Sequence, residues 1–249
     1  MIELHRHGRL AEIRINHAKA LNPFTRAMTA GLTEVCRQVE SDGDLDGALI
    51  WGGPERAFSV GGDFSDLRKI ASYGEALAYL SSIVDSYQAL LAISKPLVAA
   101  IDQHAIGQGL QVALMSDWRI ASERASVRMP ELANGMPCPL GACILELLLG
   151  RAAMLQLVVG CHALDANGAQ RERLIDQICA PSALFEAALQ RLSQLVQYPQ
   201  GAWRSTKRIH NGRFIAALEA VRQPAAQAHA ESFLAGQSEA HFKRVLGNG

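Results

Sequence analysis

Charge is scarce in this chain. Asp, Glu, Lys and Arg make up 19% of its 249 residues, and 24 basic side chains are balanced by 24 acidic ones. A chain with no net charge and no basic run has no field to gather DNA, RNA or an anionic membrane, so nucleic acid is not an expected partner. Long hydrophobic runs are missing too. The longest, such as Leu97 to Ile101, fall far short of the roughly 20 residues that span a bilayer. Met1-Ile-Glu-Leu-His-Arg-His lacks the basic-then-apolar pattern of an export signal. The five cysteines (Cys36, Cys138, Cys143, Cys161, Cys179) are an odd set without a CxxC pair, which favours reduced, buried thiols over a disulfide framework. The eight histidines include no HExxH, so a metal site has no support. A cytoplasmic protein without metal is the expectation.

What the chain does have is apolar content, 49% of its residues, enough for a large core in one domain with at most a small appendage. Alternation from Arg9 to Asn16 predicts a half-buried strand, and Gly47 to Trp51 a short apolar one before Gly52-Gly53-Pro54. Phe24 to Val39 and Gly74 to Ile93 carry helical spacing. Pro96 to Ile101 reads as a strand covered on both faces, and Asp117 to Ala121 and Ser126 to Met129 as further short strands. Strands alternating with helices imply an α/β core. After about residue 180 the reading is helical throughout, over 182–197, 201–211, 214–234 and 239–246.

Three segments carry chemistry. In Phe58-Ser59-Val60-Gly61-Gly62-Asp63-Phe64, paired glycines between a strand and a helix let a ligand approach the backbone, and Asp63 is placed to cap the helix. A tight structural turn explains the same residues. Asp102-Gln103-His104-Ala105-Ile106-Gly107-Gln108-Gly109-Leu110-Gln111 follows a buried strand and opens an apolar helix, whose first N–H groups suit a developing negative charge. It is neither a GxGxxG nor a phosphate loop. In Met129-Pro130-Glu131-Leu132, a carboxylate within an apolar run is either a partnered structural group or a catalytic one with a perturbed pKa.

In this order and spacing the segments resemble the crotonase (enoyl-CoA hydratase/isomerase) superfamily, from Asn16-His17-Ala18-Lys19-Ala20-Leu21-Asn22-Pro23 to the helical tail. The resemblance implies an α/β fold, a ClpP-like spiral of ββα units over 1–190 with a helical C-terminal trimerisation region over 191–249, assembled as a homotrimer or a dimer of trimers. It implies a coenzyme A thioester as substrate and no permanently bound cofactor. It assigns the two oxyanion-hole N–H groups to Gly62 and Gln108, and the coenzyme A path to Val60, Gly61, Asp63 and Phe64 with Ala20 and Leu21. Hydratases of the family set two glutamates around one water; here the first position is Gln111, which cannot ionise, and the second is Glu131. A single glutamate suits isomerisation, decarboxylation or base-assisted hydrolysis.

A carbon–carbon bond-forming branch of the superfamily, from carbapenem assembly, shares more. Its residues include Asn22-Pro23-Phe24, Tyr87-Gln88-Ala89, Ala105-Ile106-Gly107-x-Gly109, Cys138, Thr206-Lys207-Arg208 and the ending His241-Phe242-Lys243-x-Val245-Leu246-Gly247. That likeness implies decarboxylation of malonyl-CoA, addition of the enolate to pyrroline-5-carboxylate or a similar electrophile, and thioester hydrolysis with Glu131 activating water. It places Gln111, Tyr79 and His229 in the substrate pocket, with Cys138 as a small wall because no histidine marks it as a nucleophile. Several residues depart from the branch: Gln108 stands for a methionine, His104 for a tyrosine, Gln103 for a glycine and Tyr79 for a tryptophan. A single-glutamate enoyl-CoA isomerase, a malonyl-CoA decarboxylase and a non-catalytic acyl-CoA-binding subunit are the alternatives.

Overall fold

The computed structural model describes residues 1–246, so Gly247 of the tail motif lies outside the described residues. The first seven residues, which carry no clear alternation, form β1 (Ile2–His7) and pair antiparallel with β2 (Leu10–Ile15) across a turn in which Gly8 takes φ +63°. Thr25 caps α1 (Arg26–Ser41), its side chain accepting from the Met28 N–H at 3.1 Å. Next come β3 (Gly47–Trp51), buried throughout, the short α2 (Phe64–Leu67) and the long α3 (Tyr73–Ala92).

The middle of the chain repeats one pattern. A strand in the large sheet leads to a strand in a small sheet and then to a helix. Thus β4 (Leu97–Ile101) leads to β5 (His104–Ile106) and α4 (Gln108–Leu114). Then β6 (Trp118–Ser122) leads to β7 (Ser126–Arg128), α5 (Pro139–Leu149) and α6 (Arg151–Gly160). β8 (Leu164–Asp165), α7 (Ala166–Arg171) and β9 (Gln177–Cys179) close the core. The large sheet runs β1-β2-β3-β4-β6-β9, parallel except for the first hairpin, and the small one β5-β7-β8. This is the expected α/β crotonase fold. Gln103, at the corner between β4 and β5, takes φ +52°, which explains why a glycine is usual there.

The tail is α8 (Leu184–Leu195), α9 (Gln200–Leu234) and α10 (Glu239–Leu246). Residue 190 falls inside α8, which lays Leu184, Ala188, Leu192 and Leu195 on Leu49, Val98, Ala100 and Ile120 of the sheet. One helix replaces the two expected over 201–211 and 214–234. Asn211-Gly212 reads as a break, but the Asn211 side chain donates to the Leu91 carbonyl at 2.7 Å, at the end of α3, and the helix runs on.

On α9, Lys207 is buried. Its Nζ donates to Asp117 at 2.6 Å and to the Lys95 carbonyl at 2.8 Å, while burial pulls the lysine pKa down and pushes the aspartate up. Removing one partner strands a buried charge. Lys207→Met is therefore expected to destabilise the fold by about 3 kcal/mol, read from the midpoint of urea unfolding.

Candidate active site

The two glycine-rich segments are laid side by side by main-chain bonds. Ser59 N–H donates to the His104 carbonyl at 2.9 Å, and Ile106 N–H donates back to Ser59 at 2.9 Å. Gly61 takes φ +88°, and a Cβ there would sit 2.9 Å from the Ile106 carbonyl oxygen and 3.4 Å from the Gln108 nitrogen. Gly109 packs closer still: its Cβ would fall 2.4 Å from the Ser59 carbonyl oxygen. Side chains at these positions would drive the segments apart.

On this scaffold the neighbours of Gly62 are bonded. Gly61 O accepts from Phe24 N–H at 2.7 Å, and Asp63 N–H donates to Phe24 O at 2.8 Å. The Gly62 N–H has no acceptor among the described residues. Nor has the Gln108 N–H, at the first turn of α4 after Gly107 at φ +54°. Both residues line one cavity of about 90 Å³.

The same cavity collects most of the residues singled out in the sequence. Val60, Gly61, Gly62, Phe64, Tyr79, Gln108, Gln111, Glu131 and His229 all line it. It shares Val60, Gly62, Phe64, Ile106, Pro130 and Asn134 with a wider outer cleft of about 530 Å³, rimmed by Lys19, Leu21, Asp63, Arg128, His241 and Arg244. Asp63 caps α2 as expected, its carboxylate accepting from Ser65 N–H at 2.8 Å, and lies 3.5 Å from Lys19. Two residues are not among the lining. Ala20 is exposed, its carbonyl accepting from Ala57 N–H at 3.1 Å, and Cys138 is buried behind Glu131.

Glu131 follows Pro130 into a single 3-10 turn (Leu132–Asn134). The tail holds that turn in place, since the Gly135 carbonyl accepts from Ser232 at 3.0 Å and Ser238 at 3.4 Å. Oε1 of Glu131 accepts from Gln111 Nε2 at 3.0 Å, and Oε2 is buried with no protein partner. Burial pushes this carboxyl up from 4.5 to about 7, against the opposing pull of its own backbone N–H, the Cys138 thiol and the Gln111 amide. Gly107 faces it too: a Cβ there would be 3.0 Å from Oε1.

The remaining walls are neutral. Burial holds the phenols of Tyr79 and Tyr87 and the thiol of Cys138 well above their usual ranges. It lowers the His229 imidazole, whose Nδ1 bonds the Ala225 carbonyl at 2.8 Å. The Gln108 side chain turns to α1, donating to Thr29 Oγ1 at 3.2 Å. Tyr87, Asn134, Met136, Leu140 and Phe233 are lining residues that sequence reasoning did not assign. Only the spacing Tyr79–Ile83–Tyr87 along α3 signals that one helix face points at the cavity.

Comparison with known proteins agrees with this architecture. The family described as "Enoyl-CoA hydratase/isomerase" matches residues 5–245. A carboxymethylproline synthase of Pectobacterium carotovorum is 35% identical over 94% of both chains, and a probable enoyl-CoA hydratase of Rhizobium meliloti is 28% identical over 77% of this chain and 73% of its own. Among solved structures, ThnE from S. clavuligerus superposes with a TM-score of 0.81 at 32% identity, over 92% of this chain and 100% of its own. An enoyl-CoA hydratase/isomerase from Mycobacterium paratuberculosis shares the fold at a TM-score of 0.88 and 24% identity, over 98% and 97% of the two chains. The chain belongs to the enoyl-CoA hydratase/isomerase, or crotonase, family of acyl-CoA enzymes.

Proposed function

We propose that this enzyme decarboxylates malonyl-CoA, adds the resulting enolate to pyrroline-5-carboxylate and hydrolyses the product thioester to carboxymethylproline. The observation that carries the reading is the lone buried carboxyl of Glu131 beside the neutral amide of Gln111, in one cavity with the N–H groups of Gly62 and Gln108. The resemblance to a carboxymethylproline synthase along nearly the whole chain supports it.

Loss of carbon dioxide leaves an electron pair that becomes the enolate of acetyl-CoA. In this reading the N–H groups of Gly62 and Gln108 meet the enolate oxygen and stabilise its charge without reorganisation, and loss of a single such donor costs about 10²–10³ in rate elsewhere. The enolate carbon then bonds the imine carbon of the ring, and the ring nitrogen takes a proton. Glu131 removes a proton from water as it attacks the thioester carbonyl, whose oxygen returns to the same pair of N–H groups, and coenzyme A leaves. Lys19, Arg128 and Arg244 give the outer cleft a positive rim for the coenzyme A phosphates. Tyr79, Gln111 and His229 shape the site of the ring; burial keeps the imidazole neutral and its Nδ1 hydrogen goes to the Ala225 carbonyl, so His229 acts there as a wall rather than as a donor to the ring's carboxylate.

With its carboxyl at about 7, Glu131 is half ionised near neutrality, where a general base is most effective. Thioester hydrolysis is expected to rise about tenfold from pH 6 to pH 8 and then level off, because only the ionised carboxylate accepts the proton. Initial rates at saturating thioester check this.

Product analysis with malonyl-CoA and pyrroline-5-carboxylate tests the reading. Carboxymethylproline, carbon dioxide and free coenzyme A are the expected products. Acetyl-CoA alone would reduce the enzyme to a malonyl-CoA decarboxylase, double-bond migration in an enoyl-CoA would make it an isomerase, and binding without turnover would make it a carrier subunit. The helical tail is proposed to sit at the interface of a homotrimer or of paired trimers.

A further inference from the structure

Tyr87 is completely buried in the C-terminal third of α3, and its hydroxyl donates to Gln111 Oε1 at 2.9 Å. Gln111 in turn uses both hydrogens of its amide nitrogen, one toward Glu131 Oε1 at 3.0 Å and the other toward the Met129 thioether sulfur at 3.5 Å. Gly141 encloses the same amide: a Cβ there would lie 3.2 Å from Nε2 and 2.6 Å from the Cys138 sulfur.

A side-chain amide can be turned by half a revolution with little change of shape, so its direction is set by what surrounds it. Here two neighbours set it. The Tyr87 O–H has no other acceptor among the described residues, so a turned amide would leave that buried proton without a partner. The turned amide would also bring its oxygen against the Met129 sulfur, an acceptor facing an acceptor. Oε1 of Glu131 is therefore the oxygen that receives the amide hydrogen, which disfavours a proton on it. Oε2, which has no protein partner, is the oxygen left to carry one.

We infer that Tyr87, through Gln111, is a positioning residue that fixes which oxygen of Glu131 exchanges protons with the reacting water. The inference rests on the proposed role of Glu131 as base. The hydrogen-bond relay itself stands on geometry alone. The titratable groups facing this carboxyl are Tyr79 and Tyr87 from α3, Cys138 at the start of α5 and His229 on α9; α4 offers only Gln108 and Gln111. All four titratable groups are held neutral by burial, so no other charge competes with the relay near pH 7.

Tyr87→Phe tests it. Without the hydroxyl, the Gln111 oxygen loses its donor, and the amide is free to turn that oxygen toward Glu131, where it stabilises the protonated acid. The Glu131 midpoint is expected to rise by about one pH unit, giving roughly fivefold slower hydrolysis at neutral pH and recovery to within about twofold of the parent at high pH, with KM for the thioester unchanged. Met129→Leu, which removes only the second acceptor, is expected to shift the profile the same way by a smaller amount. Infrared difference titration of the Glu131 carboxyl, taken against Glu131→Gln, reads the midpoint directly. An equal loss at every pH with an unmoved carboxyl titration would overturn the relay and leave Tyr87 as packing. If the parent hydrolyses no thioester at all, the proposed function fails, and the infrared midpoint still decides the relay.

Discussion

Glu131→Gln is expected to slow thioester hydrolysis by about 10²–10⁴-fold, the range that a positioned general base contributes. The amide of the new residue keeps the shape of the carboxyl and still offers Gln111 an acceptor, so coenzyme A binding in the outer cleft should be unaffected. Decarboxylation draws on the two N–H donors rather than on this carboxyl, so it should survive the substitution better than hydrolysis does. Measuring carbon dioxide release and free coenzyme A in the same reaction separates the two steps. Equal loss of both, with intact thioester binding, would remove Glu131 from the hydrolytic role.

The same substitution has an opposite effect on stability. In the fold the carboxyl holds its proton up to about 7, whereas the unfolded chain releases it near 4.5. Between those values the unfolded state binds fewer protons, so stability falls as pH rises and stays lower above the folded value. Removing the ionisable group abolishes that loss. The variant is expected to match the parent near pH 4 and to exceed it by up to about 3 kcal/mol near pH 8. Urea unfolding at the two pH values checks the sign. A variant that is less active and more stable at alkaline pH identifies a carboxyl held in an unfavourable site for function.

Gly61→Ala is expected to lower malonyl-CoA decarboxylation by about 10²-fold, since it attacks the spacing of the two donors rather than either one. At φ +88°, an alanine is strained to begin with, and its methyl would press on the Ile106 carbonyl at 2.9 Å and on the Gln108 nitrogen at 3.4 Å. The segment carrying Gln108 has to retreat, and the pair of N–H groups no longer meets one oxygen. Gly74→Ala is the control. Its Cβ meets nothing within 4 Å at the start of α3, so it should leave the rate alone and stabilise the helix by up to about 1 kcal/mol. Comparable losses in the two variants would detach the decarboxylation from the geometry around Gly61.

Much of this site is written locally. Glycines at 61 and 109 are readable because no other residue tolerates the close approach of the two segments, and Glu131 because a carboxylate in an apolar run needs a reason. Gln103 is informative by departure: its positive φ is the strain that a glycine avoids. Other features depend on contacts between distant residues. Tyr87 looks like one more core residue at helical spacing, and only the fold brings its hydroxyl to Gln111, 24 positions away. The run of α9 through Asn211-Gly212 depends on Asn211 reaching the end of α3, and β1 becomes a strand because β2 supplies its partner. Ala20, which the family pattern puts on the coenzyme A path, is exposed and lines neither the inner cavity nor the outer cleft.

A crystal structure with a coenzyme A thioester bound is the most direct test. The thioester oxygen should lie about 3 Å from the nitrogens of both Gly62 and Gln108, with Oε2 of Glu131 reaching the thioester carbon through one water. A thioester oxygen that touches neither nitrogen, or a Glu131 side chain directed out of the cavity in the complex, would contradict the mechanism.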